Sequence, residues 1–162
     1  MEIQINGAVK KLPGKTTMPG LLAYSVRIGE ALDLRISREL RRRVPGISRA
    51  QAEVLLLLER KKTMDMGSLS RELQKDPGTM TSVVQALWKK GLLERRSVEG
   101  NRRTQEIRLL SEGNTAARRC LALYRNLEKE LQADIPGFAQ ILSEMERFYT
   151  QLKEKGYWPY PD

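Results

Sequence analysis

The sequence predicts a mainly α chain with one small β-hairpin, and three observations carry that expectation. Apolar residues recur at helical spacing over most of the chain from Leu21 to Leu152, the periodicity of amphipathic helices. Strand, turn and strand are signalled only by Leu92 to Val98, Glu99-Gly100-Asn101 and Arg102 to Leu109, with Ile107 and Leu109 alternating inward. Just before that hairpin, two short amphipathic stretches are separated by Lys75 alone. Two short helices joined so tightly, then a hairpin, make a winged helix-turn-helix, and the flanking helices are expected to form a dimerisation domain. The expected division is an N-terminal arm over 1–20, a helical dimerisation region over 21–46 and 111–162, and the winged helix-turn-helix over 47–110.

Each element has its own signal. Residues 1–20 hold Gly7, Pro13, Gly14, Pro19 and Gly20 and no helical period; Ile3 and Ile5 permit a short strand, but a flexible arm is the favoured reading. Leu21 to Val44 is one helix, stopped by Pro45-Gly46, with Leu21, Ser25, Ile28, Leu32, Ile36 and Leu40 in a stripe. Arg41 to Arg43 complement its macrodipole. Ser48 and Gln51 form a capping box that opens a helix apolar nearly all round through Leu58, hence central. Glu59 to Thr63 reads as a polar connection. Met66 to Gln74 carries Leu69 and Leu73 on one face. The next helix is signed at both ends: Asp76 caps it, Pro77 suits its first turn and Gly91 stops it. Met80, Val83, Val84 and Leu87 face inward, leaving Gly78, Thr81, Ser82, Gln85 and Lys89 outside. Beyond the hairpin, Ser111 is expected to cap a helix to about Ala133 with a seam of Ala117, Cys120, Leu121, Tyr124, Leu127 and Leu131. A break at Asp134 to Gly137 precedes a last helix burying Phe138, Ile141, Leu142, Met145, Phe148, Tyr149 and Leu152, and the aromatic tail from Tyr157 is expected to dock.

Composition narrows the chemistry. The formal net charge is +9 with a pI near 9.9, a balance that favours a polyanionic partner. Lys89, Lys90, Arg95, Arg96, Arg102, Arg103 and Arg108 outnumber Glu94, Glu99 and Glu106 around the hairpin. There is no histidine, which removes the commonest zinc ligand and a Ser-His-Asp triad together. No phosphate-binding glycine loop or paired-acid motif is present, so neither an enzyme nor a cofactor or metal is expected. Cys120 is the one cysteine and lies on an apolar seam, where a buried, inert thiol is the favoured reading over a sensor. No apolar run is long enough to span a membrane, and the first residues lack the apolar core of a signal peptide, so a cytoplasmic protein is expected.

From Ile47 to Gly113 the chain resembles the multiple-antibiotic-resistance regulator (MarR) family. The resemblance is carried by Ala52 to Leu58, by Lys89-Lys90-Gly91-Leu92-Leu93-Glu94-Arg95, by Asn101-Arg102-Arg103, and by Ile107-Arg108-Leu109-Leu110-Ser111-Glu112-Gly113. It departs from the family at three points: Asn101 for the usual Asp of the wing, Leu110 for the usual Thr, and Trp88 for a residue commonly charged. Ser111 is expected to take over capping from Leu110, and Trp88 to pack against the wing or the first helix. The resemblance implies a sequence-specific transcriptional regulator, most simply a repressor, that binds a pseudo-palindromic operator in double-stranded DNA as a homodimer.

The expected base contacts are Thr81, Ser82 and Gln85, because small or amide side chains reach base edges in the major groove. Gly78 and Thr79 approach the DNA backbone, Lys89, Arg95 and Arg96 contact phosphate, and Arg103, matching the family's wing arginine, enters the minor groove with Arg102 beside it. The resemblance also implies a small aromatic effector, in a pocket between the dimer helices and the winged domain that Tyr24, Arg27, Tyr124 and Arg125 are candidates to line. The alternative is a winged helix used for protein contact without sequence-specific DNA binding.

Overall fold

The computed structural model describes the backbone of residues 2–5, 8–11, 20–98 and 101–157, and side-chain surroundings for 20–96 and 105–157. The expected docking of the aromatic tail therefore lies outside the described side chains, apart from Tyr157, which is exposed. The chain divides into two compact units, Met1–Arg38 and Glu39–Asp162.

In the first unit, β1 (Glu2–Ile5) and β2 (Ala8–Lys11) pair antiparallel, Glu2 opposite Lys11 and Ile5 opposite Ala8. The strand that Ile3 and Ile5 permit is thus present, with a partner a few residues on. Helix α1 (Gly20–Arg43) begins in this unit and ends in the second. Leu21, Leu22, Val26, Ile28, Leu32 and Leu34 stand exposed along it.

The second unit is built around α2 (Arg49–Lys61). Its capping box forms as expected: the Gln51 amide donates to Ser48 Oγ at 3.3 Å and the Ser48 amide to Gln51 Oε1 at 3.2 Å. Ala52, Val54, Leu55, Leu57 and Leu58 are buried, and the helix is met by α3, α4, α5 and the sheet. Each large side chain so buried contributes about 1.5–3 kcal/mol. Around it stand α3 (Met66–Leu73), α4 (Pro77–Lys89), β4 (Leu93–Val98), β5 (Asn101–Leu109), α5 (Ser111–Asp134) and α6 (Phe138–Glu154).

Four expectations are corrected. A strand, β3 (Thr63–Asp65), occupies the end of the supposed polar connection and pairs with β5, giving the sheet order β3-β5-β4. Ser111 does not cap α5: it is the first helical residue, and the cap position is Leu110, whose own side chain makes no capping hydrogen bond. On α5 the buried row is Gly113, Ala117, Cys120, Leu123 and Leu127, with Leu121, Tyr124 and Leu131 only half-buried, because the face toward α2 is turned slightly from the expected seam. Helix α6 buries none of its residues: Phe138 and Leu152 are half-covered, and Ile141, Leu142, Met145, Phe148 and Tyr149 are exposed. It touches α5, and that neighbour alone does not cover its apolar face.

Candidate nucleic-acid interface

The candidate interface begins with α3 and α4. Asp65 caps α3, accepting from the Ser68 amide at 2.9 Å and from Ser68 Oγ at 2.7 Å. These bonds hold its carboxyl below the usual value of 3.8. Gln74, left-handed at φ 52°, turns the chain out of α3. Asp76 then caps α4, accepting from the Thr79 amide at 2.8 Å. Hydrogen bonds from the Thr79 side chain and amide lower its carboxyl pKa as well.

At its far end α4 closes with the Gly91 amide donating to Trp88 O at 2.9 Å and the Leu92 amide to Leu87 O at 3.1 Å. Gly91 takes φ +67° there, the left-handed turn that glycine accommodates without strain. Lys90, beside it, extends its ammonium to the carbonyl of Gly46 and to Gln51 Oε1, the latter at 2.9 Å.

Between these ends α4 presents the expected face. Met80, Val84 and Leu87 are buried and Val83 is half-buried. Gly78, Thr79, Thr81, Ser82 and Lys89 are exposed, and Gln85 is half-buried. Thr81 Oγ1 donates to Pro77 O at 2.7 Å and Ser82 Oγ to Gly78 O at 3.1 Å. Their hydroxyl protons point back into the helix while their lone pairs remain for an outside donor. Trp88, expected to pack away, is 51% exposed.

On the hairpin, Leu93, Arg95 and Ser97 of β4 lie opposite Leu109, Ile107 and Gln105 of β5. Residues directly opposite share a face, so Arg95 points to the side of the buried Leu93 and Ile107, and Arg96 to the other. Arg95 is half-buried, its Nε and Nη2 enclosed without a hydrogen-bond partner. Arg96 is exposed, 3.4 Å from Glu94, which also binds Arg108. Period-2 parity was the signal that separates the two arginines. The register shifts between Ser97 and Val98, which pair with Gln105 and Asn101, leaving Arg102 to Thr104 in the irregular stretch of β5. The side chains of Arg102 and Arg103 lie outside the described residues.

Lys90 was not among the expected site residues. Its partners are 44 and 39 positions away, and no local pattern signals such a bond. A cavity of about 460 Å³ lies beside it, lined by Val44, Ile47, Lys90, Leu92, Thr115 and Arg119 among others. Tyr24, Arg27, Tyr124 and Arg125 do not line it. Tyr124 is half-buried, its hydroxyl has no hydrogen-bond partner, and burial followed by the charge of Glu53 raises its pKa. Among the described residues no cluster of acids and cysteine suits a metal ion, and no helix is long and apolar enough to cross a membrane.

Two short helices at a tight turn, the second with an exposed polar face, and a three-stranded antiparallel sheet ending in a hairpin define a winged helix-turn-helix. The family model of MarR matches residues 47–104, and those residues carry a MarR-family domain. Among solved structures, FabT of Streptococcus pneumoniae in complex with DNA is similar at a TM-score of 0.72 and 20% identity, covering 83% of this chain and 96% of that one. The S. aureus MepR–DNA complex is similar at a TM-score of 0.72 and 15% identity, covering 85% and 99%. NadR in complex with 4-hydroxyphenylacetate is similar at 0.64 and 16% identity, covering 85% and 97%. No curated protein matches the chain in sequence.

Proposed function

We infer that the chain is a non-enzymatic, cytoplasmic transcriptional regulator that binds an inverted-repeat operator in double-stranded DNA as a homodimer, most simply as a repressor. The observation that carries this is α4: a helix fixed from behind by Met80, Val84 and Leu87, with Thr81, Ser82, Gln85 and Lys89 turned outward. Gly78 and Thr79 meet the backbone at the helix start, Lys89 and Arg96 meet phosphate, and Arg103 with Arg102 enters the minor groove from the hairpin. Arg95 reaches phosphate only by leaving its half-buried position. FabT and MepR, solved with DNA, support the reading through their shared fold.

Homodimerisation is supported by the apolar faces left open on α1 and, separately, on α6. A second copy covers both kinds of face without another partner. Two copies then set their reading helices about 34 Å apart, one duplex turn. Release by a small aromatic acid fits the 4-hydroxyphenylacetate bound to NadR. The cavity beside Lys90 offers cations (Lys90, Arg119) next to apolar Val44, Ile47 and Leu92 for such a ligand.

The test is selection of duplexes from a random pool by the purified chain, with aromatic carboxylic acids added afterwards. Enrichment of an inverted repeat, lost from Arg103→Ala and released by one of the acids, is the expected result. A chain that enriches no sequence is a protein-contact module instead.

A further inference from the structure

Trp88 occupies the last turn of α4 with about half of its surface open (51%). It follows Thr81 by seven residues and Gln85 by three, and at 3.6 residues per turn these spacings put all three along one edge of the exposed face. Met80, Val84 and Leu87 are buried, and Val84 lies one turn before Trp88 on the same side, so the ring stands where the exposed face borders the core. Lys89 follows the ring directly and is exposed. An indole has a large apolar body, and burying that body against a partner is favourable. Helix α4 is not one of the helices whose open apolar faces call for a second copy, so the occupant is sought on the side that Thr81 and Gln85 address.

We propose that Trp88 reads a thymine methyl at the edge of each half-site, as a specificity-determining residue of the DNA interface. The proposal rests on the regulator reading above. In the major groove thymine is the base that offers an apolar group, its C5 methyl. An indole without charge gains little from phosphate, whereas the neighbouring Lys89 is suited to it. Seven residues of helix rise about 10.5 Å, so Trp88 addresses a different base pair from the one that Thr81 addresses.

The experiment repeats the duplex selection with the full chain, Trp88→Ala and Trp88→Leu, each checked for an unchanged thermal midpoint. The wild-type duplex is then remade with deoxyuridine for single thymines, which deletes only the methyl. The wild-type chain should enrich thymine at one position per half-site and lose roughly fourfold in affinity when that methyl is removed, the worth of one buried carbon. Trp88→Ala should lose that preference, keep the others and ignore the deoxyuridine; Trp88→Leu should keep part of it. In a Trp158→Phe chain, the emission of Trp88 should change on binding the selected duplex.

Unaltered preferences in Trp88→Ala overturn the proposal, as does a uniform loss across sequences or an unchanged emission in the bound complex. If Trp88→Ala fails to fold, the deoxyuridine arm on the wild-type chain decides alone. A wild-type chain that enriches nothing removes the regulator reading itself, which is a different result from a wild type that enriches what Trp88→Ala also enriches.

Discussion

Thr81 and Ser82 reach the exposed face with their hydroxyl protons already given to Pro77 O and Gly78 O. On the proposed function they would meet a groove as acceptors, suited to the exocyclic amino groups of adenine and cytosine. Gln85 offers donor and acceptor together, the pair that matches adenine, so Gln85→Ala should cost about 1–3 kcal/mol of discrimination at one base position. Competition binding with operators changed one base at a time measures it. That face was legible because its residue types follow a strict helical period. Arg95 and Arg96 were not separated in the same way, although Leu93 two positions before Arg95 marks the inner face of the strand. Cys120 is where the apolar seam implied: buried, with its thiol pushed up to about 11 by desolvation. So few thiolates are present near neutral pH that the side chain behaves as a small hydrophobe.

Among the elements, α4 was legible to both ends because Asp76, Pro77 and Gly91 act locally. Strand β3 was not, since the three residues Thr63–Asp65 carry no period of their own and become a strand by pairing with Ile107 and its neighbours. The start of α5 depends on a close approach instead of a cap. A Cβ on Gly113 would lie 1.8 Å from Leu92 O, and that carbonyl also accepts from the Leu110 amide at 3.0 Å. Gly113→Ala should destabilise the fold by about 1–3 kcal/mol, as overpacking does, read as a lower thermal midpoint. Asp65→Ala removes a cap and should cost about 1 kcal/mol near neutral pH. The Asp65 carboxyl is held below its unfolded value of 3.8. Its contribution is therefore complete above that value and disappears as the pH falls through the lower folded one. Acid titration of the melting midpoint should show wild type and Asp65→Ala converging at the acid end; a constant gap would count against the cap.

For the whole molecule, a net charge of +9 per chain and cations on a helix and a hairpin imply counterion release on binding. Affinity should fall about linearly on a log–log plot against salt, with a slope near −0.9 for each phosphate neutralised. A gel-shift series checks it, and a flat line would remove the phosphate contacts. The apolar spacing of α6 gave the face, and the flanking helices were expected to pair with a second copy; in the chain itself that face stands open, because periodicity marks which side avoids water and not what covers it. What the chain does hold internally is Lys90, on Gly46 O and Gln51 Oε1. Since the backbone alone terminates α4, Lys90→Met should leave the helix intact while freeing its angle to the corner after α1. Integrity and aim are thus kept by different atoms: a chain can own an intact rod and still point it wrongly, if one ammonium no longer moors it.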